Sequence, residues 1–92
     1  MEFEWDADKA ASNVAKHGVS FHEAATVFDD PLAMTYFDPD HSDEVDRFIT
    51  FGLSRSGNVL VVSHTDRDDR TRIISARKAT RKEKKSYEQE TD

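Results

Sequence analysis

The chain has 92 residues, 36% hydrophobic and 35% charged, enough for one compact core and too few for a second domain. It holds no cysteine, which excludes a disulfide framework, a thiolate zinc site and thiol catalysis and makes a reducing cytosol the expected compartment. The formal net charge of −6 excludes a uniformly basic nucleic-acid binder, because phosphate neutralisation dominates the affinity of such proteins.

That charge is unevenly spread. Residues 1–54 carry twelve acids against Lys9, Lys16 and Arg47, residues 55–85 carry ten bases against four acids, and the last seven residues add three acids. A chain divided in this way is expected to meet two partners, an anion at the basic segment and something basic at the acidic one. Ordinary mixed surface charge accounts for the pattern equally well. A domain of this size also has a thin margin of stability, so dependence on a tight partner is expected.

The opening Met-Glu-Phe-Glu-Trp-Asp has no apolar run, so neither a secretory signal nor a membrane span is expected there. Phe3 and Trp5 flank Glu4 in the alternation of a short strand, and Trp5 is expected in the core. Asp6 is placed to cap a first helix in which Ala7, Ala10, Ala11 and Val14 recur at helical spacing until Lys16-His17-Gly18 closes it. Ser20-x-x-Glu23 is a capping box opening a second helix, with Phe21, Ala24, Ala25 and Phe28 on one face, that runs to Asp29-Asp30-Pro31.

Beyond Pro31 the period changes to two. Leu32, Met34 and Tyr36 alternate with Ala33, Thr35 and Phe37, and after an acidic loop Arg47, Ile49, Phe51 and Leu53 share a face. Residues 54–58 form a turn, residues 59–65 are β-branched enough for a central strand, and a tight connection over 66–69 leads into a last strand at about 71–77. Thr80-x-x-Glu83 is a second capping box, opening a polar helix whose lone aromatic, Tyr87, is expected to dock it on the sheet. A helix with so little apolar surface is expected to be mobile or to depend on a partner. The expected architecture is α+β, a single domain over 1–92: a short N-terminal strand, two helices, a four-stranded antiparallel meander and a C-terminal helix, with the helices on one side of the sheet.

Two stretches, Lys16-His17-Gly18-Val19-Ser20-Phe21-His22-Glu23-Ala24 and Arg72-Ile73-Ile74-Ser75-Ala76-Arg77-Lys78-Ala79-Thr80, resemble the BrnT toxin family in content, order and spacing. Phe3-Glu4-Trp5-Asp6, Asp30-Pro31, Thr65-Asp66-Arg67, Glu83 and Tyr87 extend the resemblance over nearly the whole chain. The resemblance implies a RelE-like fold and a cytoplasmic toxin of a type II toxin-antitoxin system, with ribonuclease activity that halts translation. It also implies a BrnA-like antitoxin that neutralises the toxin and represses the shared operon with it, so that operator DNA is met only through the complex.

RNA is cut without metal or other cofactor when the ribose 2′-oxygen attacks the adjacent phosphorus. The site then needs a base near the 2′-hydroxyl, cations on the phosphorane and an acid at the departing 5′-oxygen. For the cations the first candidates are Arg67, in the turn after the central strand, and Arg77, at the end of the last one, positions able to converge at one edge of the sheet. Arg47 and Arg72 are secondary, substrate-binding candidates; the odd separation of Arg72 from Arg77 puts the two on opposite faces of a regular strand. For proton transfer, His17 with Lys16 beside it is a candidate, although Lys-His at a helix end also suits the last carbonyls of the helix. Glu23 is claimed by its capping box. His64 is open to a substrate role or to half-buried packing, and Tyr87 to proton donation or to docking. The segment Asp38-Pro39-Asp40-His41-Ser42-Asp43 lacks the glycine and the twelfth-position acid of a calcium loop and reads as solvated, with no metal. The alternative to an enzyme is a binding module that tunes repression by a DNA-binding partner.

Overall fold

The computed structural model describes the backbone of residues 1–91 and the side chains of residues 1–89. In chain order its elements are β1 (Glu2–Glu4), α1 (Ala7–His17), α2 (Phe21–Thr26), β2 (Met34–Phe37), β3 (Phe48–Leu53), β4 (Val59–Arg67), β5 (Arg70–Lys78) and α3 (Arg81–Thr91), with 3-10 turns at Val27–Asp29 and Pro39–His41. The capping signals act as expected at α1. The Asp6 carboxylate accepts from the amides of Asp8 and Lys9, and Gly18 closes the helix at φ 68°, a left-handed conformation that glycine enters without steric cost. At α2 only half of the expected box forms. The Glu23 amide donates to the Ser20 hydroxyl, but the Glu23 carboxylate accepts from Ser54 Oγ at 2.7 Å and Asn58 Nδ2 at 2.9 Å, so it ties α2 to the β3–β4 turn.

Strands β2 to β5 form the expected antiparallel meander, but the sheet has five strands in the order β1-β5-β4-β3-β2. β1 joins parallel to β5, with Phe3 opposite Thr71. A parallel neighbour needs a long crossover, supplied here by most of the chain, and local alternation carries no sign of it. β1 covers only the first three residues of β5. Farther along the same edge the Asn13 carboxamide stands in for a strand: Nδ2 donates to Ala76 O at 2.8 Å and to Val19 O at 2.9 Å, and Oδ1 accepts from the Ala76 amide at 3.1 Å.

One face of the sheet, through Leu60, Val62, Ile73 and Ala76, packs on Val19, Phe21, Ala24 and Val27 to form the main core, with Trp5 and Phe28 against it. Gly52 lets the Val27–Asp29 turn lie on β3, since a Cβ there would meet Val27 Cγ1 at 2.6 Å. The expectation that all helices share one side fails for α3. Tyr87 of α3 lines a cavity with Met34 and Phe51, and Phe51 is paired with Val61, on the face turned away from the main core. α3 thus lies over part of the second face, where Tyr87 and Lys82 share a cavity with Met34, Tyr36 and Phe51.

The β4–β5 hairpin turns through Asp68 and Asp69, both at positive φ, which matches the right-handed twist of the strands. Farther along, the register shifts: His64 pairs with Ile73 and Ser63 with Ser75, so Ile74 is an extra residue. A bulge of one residue inverts the alternation beyond it. Arg72 opposite Thr65 and Arg77 opposite Val61 therefore share one face, not the opposite faces that their odd separation predicts.

Candidate functional site

The part of the second face that α3 leaves open carries the arginines. β4 and β5 direct Arg67, Arg72 and Arg77 to this side, and Arg47 enters it from the start of β3. Arg47 lines three cavities: one of about 310 Å³ with His41, Asp38, Ser63 and Arg77, one of about 400 Å³ with Lys9, Thr65, Arg67 and Arg72, and one of about 320 Å³ with His41, Asp43 and Glu44. No ion pair holds the Arg47 guanidinium among the described residues, and its Nε is buried without a hydrogen-bond partner. Arg67 and Arg77 do not converge. Arg77 pairs with Val61, six residues before Arg67 on β4, about 20 Å of strand, and the two arginines line different cavities. Arg47, which lines both, is the cation that links the two.

Arg77 is gripped by α3. Its Nη1 and Nη2 donate to the two Glu83 oxygens at 2.7 and 3.0 Å. Glu83 also accepts from the Thr80 amide while its own amide donates to the Thr80 hydroxyl, so the second capping box is complete and doubles as an arginine clamp. The hydrogen bond from Arg77 is the chief reason that the Glu83 carboxyl is held down at about 2. A guanidinium has five N–H donors; with the Nη1/Nη2 edge fixed, the Nε side of Arg77 stays available to an anion. Arg72 is tied to Glu4 at 2.9 Å, Arg70 to Glu2 at 3.4 Å and Arg55 to Asp29 at 3.7 Å. These three pairs join the acidic half of the sequence to the basic half.

The remaining candidates lie elsewhere. His64, 5% exposed, points to the main core, where Nε2 meets Thr50 Oγ1 at 2.7 Å and the ring packs between Phe28 and Phe48. Burial lowers its pKa, against a smaller opposing effect of the Asp66 charge, so it is a neutral core histidine and not a cavity residue. Tyr87 is buried, its hydroxyl donating to Asp30; burial first, and then Asp30, push it up to about 12. It docks α3, leaving no hydroxyl open to solvent. Lys16 and His17 are exposed at the end of α1. Lys16 follows Lys9 by seven residues, two helical turns, and so extends the stripe that reaches the larger cavity; His17 is rotated off that stripe.

The site also contains residues that the sequence reading set aside as a solvated loop. Asp38 and Arg47 are clipped together at the base of the β2–β3 connection. The Asp38 amide donates to Arg47 O at 2.9 Å, the Arg47 amide to Ser42 Oγ at 2.9 Å, and Ser42 Oγ to Asp38 O at 2.6 Å. The 3-10 turn started by Pro39 then places His41 Nδ1 2.8 Å from Asp38 Oδ2. The local sign of this was the i, i+3 spacing of Asp38 and His41 on either side of Pro39.

The likeness to known proteins agrees with this architecture. The family model described as the ribonuclease toxin BrnT of type II toxin-antitoxin systems matches residues 5–83. Among solved structures, the 1.1 Å crystal structure of the Brucella abortus ribonuclease toxin BrnT has a similar fold, with a TM-score of 0.65 and 23% identity over 88% of this chain and 99% of that one. No curated protein matches the sequence. No described helix is long and apolar enough to cross a membrane. With most of its length matched by the family model, the chain belongs to the BrnT family of ribonuclease toxins of type II toxin-antitoxin systems.

Proposed function

We propose that this chain is a cytoplasmic endoribonuclease that cuts RNA without a metal ion, through attack of the 2′-oxygen on the adjacent phosphorus, and thereby blocks translation. The observation that carries the reading is the unpaired Arg47 guanidinium between two cavities whose other walls supply Arg77, Arg67, Arg72 and Lys9. A phosphorane gains charge as it forms, and fixed guanidinium donors stabilise that charge more than the ground state. Arg47 and Arg77 are assigned to the scissile phosphate, and Arg67 and Arg72 to neighbouring phosphates of the strand. Lys16 and Lys9 add a basic margin along α1. A BrnA-like antitoxin neutralises the toxin by covering this face, and operator DNA is met only through that complex.

The test is incubation of the purified chain with mRNA in EDTA, followed by sequencing of the new ends. Cleavage that persists in EDTA and is lost in Arg47→Ala supports the reading; intact RNA, or cleavage abolished by EDTA, rejects it. Intact RNA together with tighter operator binding by the antitoxin would instead favour a co-repressor without enzymatic activity.

A further inference from the structure

We propose that His41 and Asp38 form the proton-transfer dyad of this site, with His41 Nε2 as the general base for the 2′-hydroxyl and Asp38 as its positioning residue. The proposal rests on the ribonuclease reading above and supplies the group that the arginine face lacks. An arginine keeps its proton in any ordinary site and cannot serve as a base. His64 is in the core, and His17 is rotated off the stripe that faces the larger cavity. His41 alone among the four histidines lines the same cavity as Arg47 and Arg77.

Three features of the loop fit the role. The imidazole side chain is 66% exposed while that of Asp38 is 13% exposed, so the ring is reachable and its anchor is sheltered. With Nδ1 at 2.8 Å from the Asp38 carboxylate, the neutral imidazole that the proposal requires would carry its proton on Nδ1 and its lone pair on Nε2, which has no hydrogen-bond partner among the described residues. Asp38 is fixed in turn: Oδ1 accepts from the Asp40 amide at 3.2 Å, and its main chain is clipped to Arg47 and Ser42. The same clip holds the Arg47 main chain, so base and phosphate cation are carried on one connection. The cavity, about 310 Å³, is at the lower end of the range that accepts a small ligand.

In the step proposed, the 2′-oxygen forms its bond to phosphorus as Nε2 takes the 2′-hydroxyl proton. The bond from phosphorus to the 5′-oxygen breaks, the 5′-oxygen takes a proton from water, and imidazolium returns its proton to the hydroxide left behind. The products are a 2′,3′-cyclic phosphate and a 5′-hydroxyl, with no net proton consumed.

The experiment compares the full-length chain with His41→Gln, His41→Ala and Asp38→Asn, on a cleavable RNA and on its uncleavable 2′-deoxy analogue. The expected result is a loss of cleavage of about a hundredfold or more in both His41 variants, with unchanged affinity for the analogue, and recovery of His41→Ala by added imidazole. Asp38→Asn is expected to lower the rate about tenfold and to shift the ¹⁵N resonances of the His41 ring towards a mixture of tautomers, a change that a merely structural carboxylate would not produce. Wild-type cleavage with undiminished cleavage by His41→Gln overturns the dyad and leaves the ribonuclease reading standing. A wild type that cuts no RNA overturns both.

Discussion

Arg77 and Glu83 show how one residue pair serves folding and site together. Glu83 caps α3 and holds a guanidinium in place, and its carboxyl sits at about 2 instead of the ordinary 4.5. As pH falls, the unfolded carboxyl takes its proton first, so the contribution is complete above about pH 4.5 and lost by about pH 2. Glu83→Gln should therefore cost about 1 kcal/mol at pH 7, with the gap from wild type closing as urea titrations are taken down to pH 2.5; a gap that ignores pH would contradict the assignment. His64 has the opposite chemistry with the same direction of loss. Burial depresses its pKa, so the unfolded imidazole binds a proton near pH 6.5 while the folded one resists. Its contribution is present above that pH and lost below it. The melting temperature should fall between pH 7.5 and 5.5, and His64→Gln, which keeps a partner for Thr50, should remove part of that fall.

At the scale of elements, two of the joints that hold the helices in place are open to direct test. The Asn13 carboxamide closes the bare edge of β5 with three buried hydrogen bonds. Asn13→Ala strands an amide and two carbonyls away from water and should cost about 2–4 kcal/mol in chemical denaturation. Asn13→Asp should fare no better, because a carboxylate cannot donate to Ala76 O. The other joint is the Tyr87 hydroxyl on Asp30. Burial raises the Asp30 pKa, but the hydrogen bonds from Leu53 N, Tyr87 and Leu32 N outweigh it and leave the carboxyl below its usual value. Tyr87→Phe leaves Asp30 its two amide partners and removes only the link to α3. Hydrogen exchange should then quicken in α3 and stay unchanged in β3, β4 and β5; equal protection throughout would show that the hydroxyl does not hold the helix.

At the scale of the whole molecule, the net charge of −6 coexists with a cationic face because Glu2 and Asp29 pair with Arg70 and Arg55 outside the two arginine-lined cavities, while Arg47 has no ion pair among the described residues. Binding of an uncleavable 2′-deoxy RNA should depend on salt through few contacts. With three phosphates neutralised, affinity should fall about twentyfold between 50 and 200 mM salt, and Arg47→Ala should flatten the logarithmic slope by about 0.7. A slope near zero would exclude this face as the phosphate site. The sequence by itself determined the elements and the family, since caps, periodicity and turn residues act within a few positions and the two family motifs are local strings. It also marked Arg47, Arg67, Arg72 and Arg77 as candidates. Tertiary structure alone decided what these residues do together. The parallel pairing of β1 with β5 spans the length of the domain, the bulge at Ile74 reverses a parity counted along the chain, and α3 crosses to the second face beside Met34 and Phe51. The same holds for part of the charge, which is segregated along the chain but paired in space where β1 brings Glu2 and Glu4 to Arg70 and Arg72 of β5. It holds too for the Asp38–His41 turn, an acidic loop in sequence, which meets Arg77 only because β3 brings Arg47 and its clipped loop across the sheet.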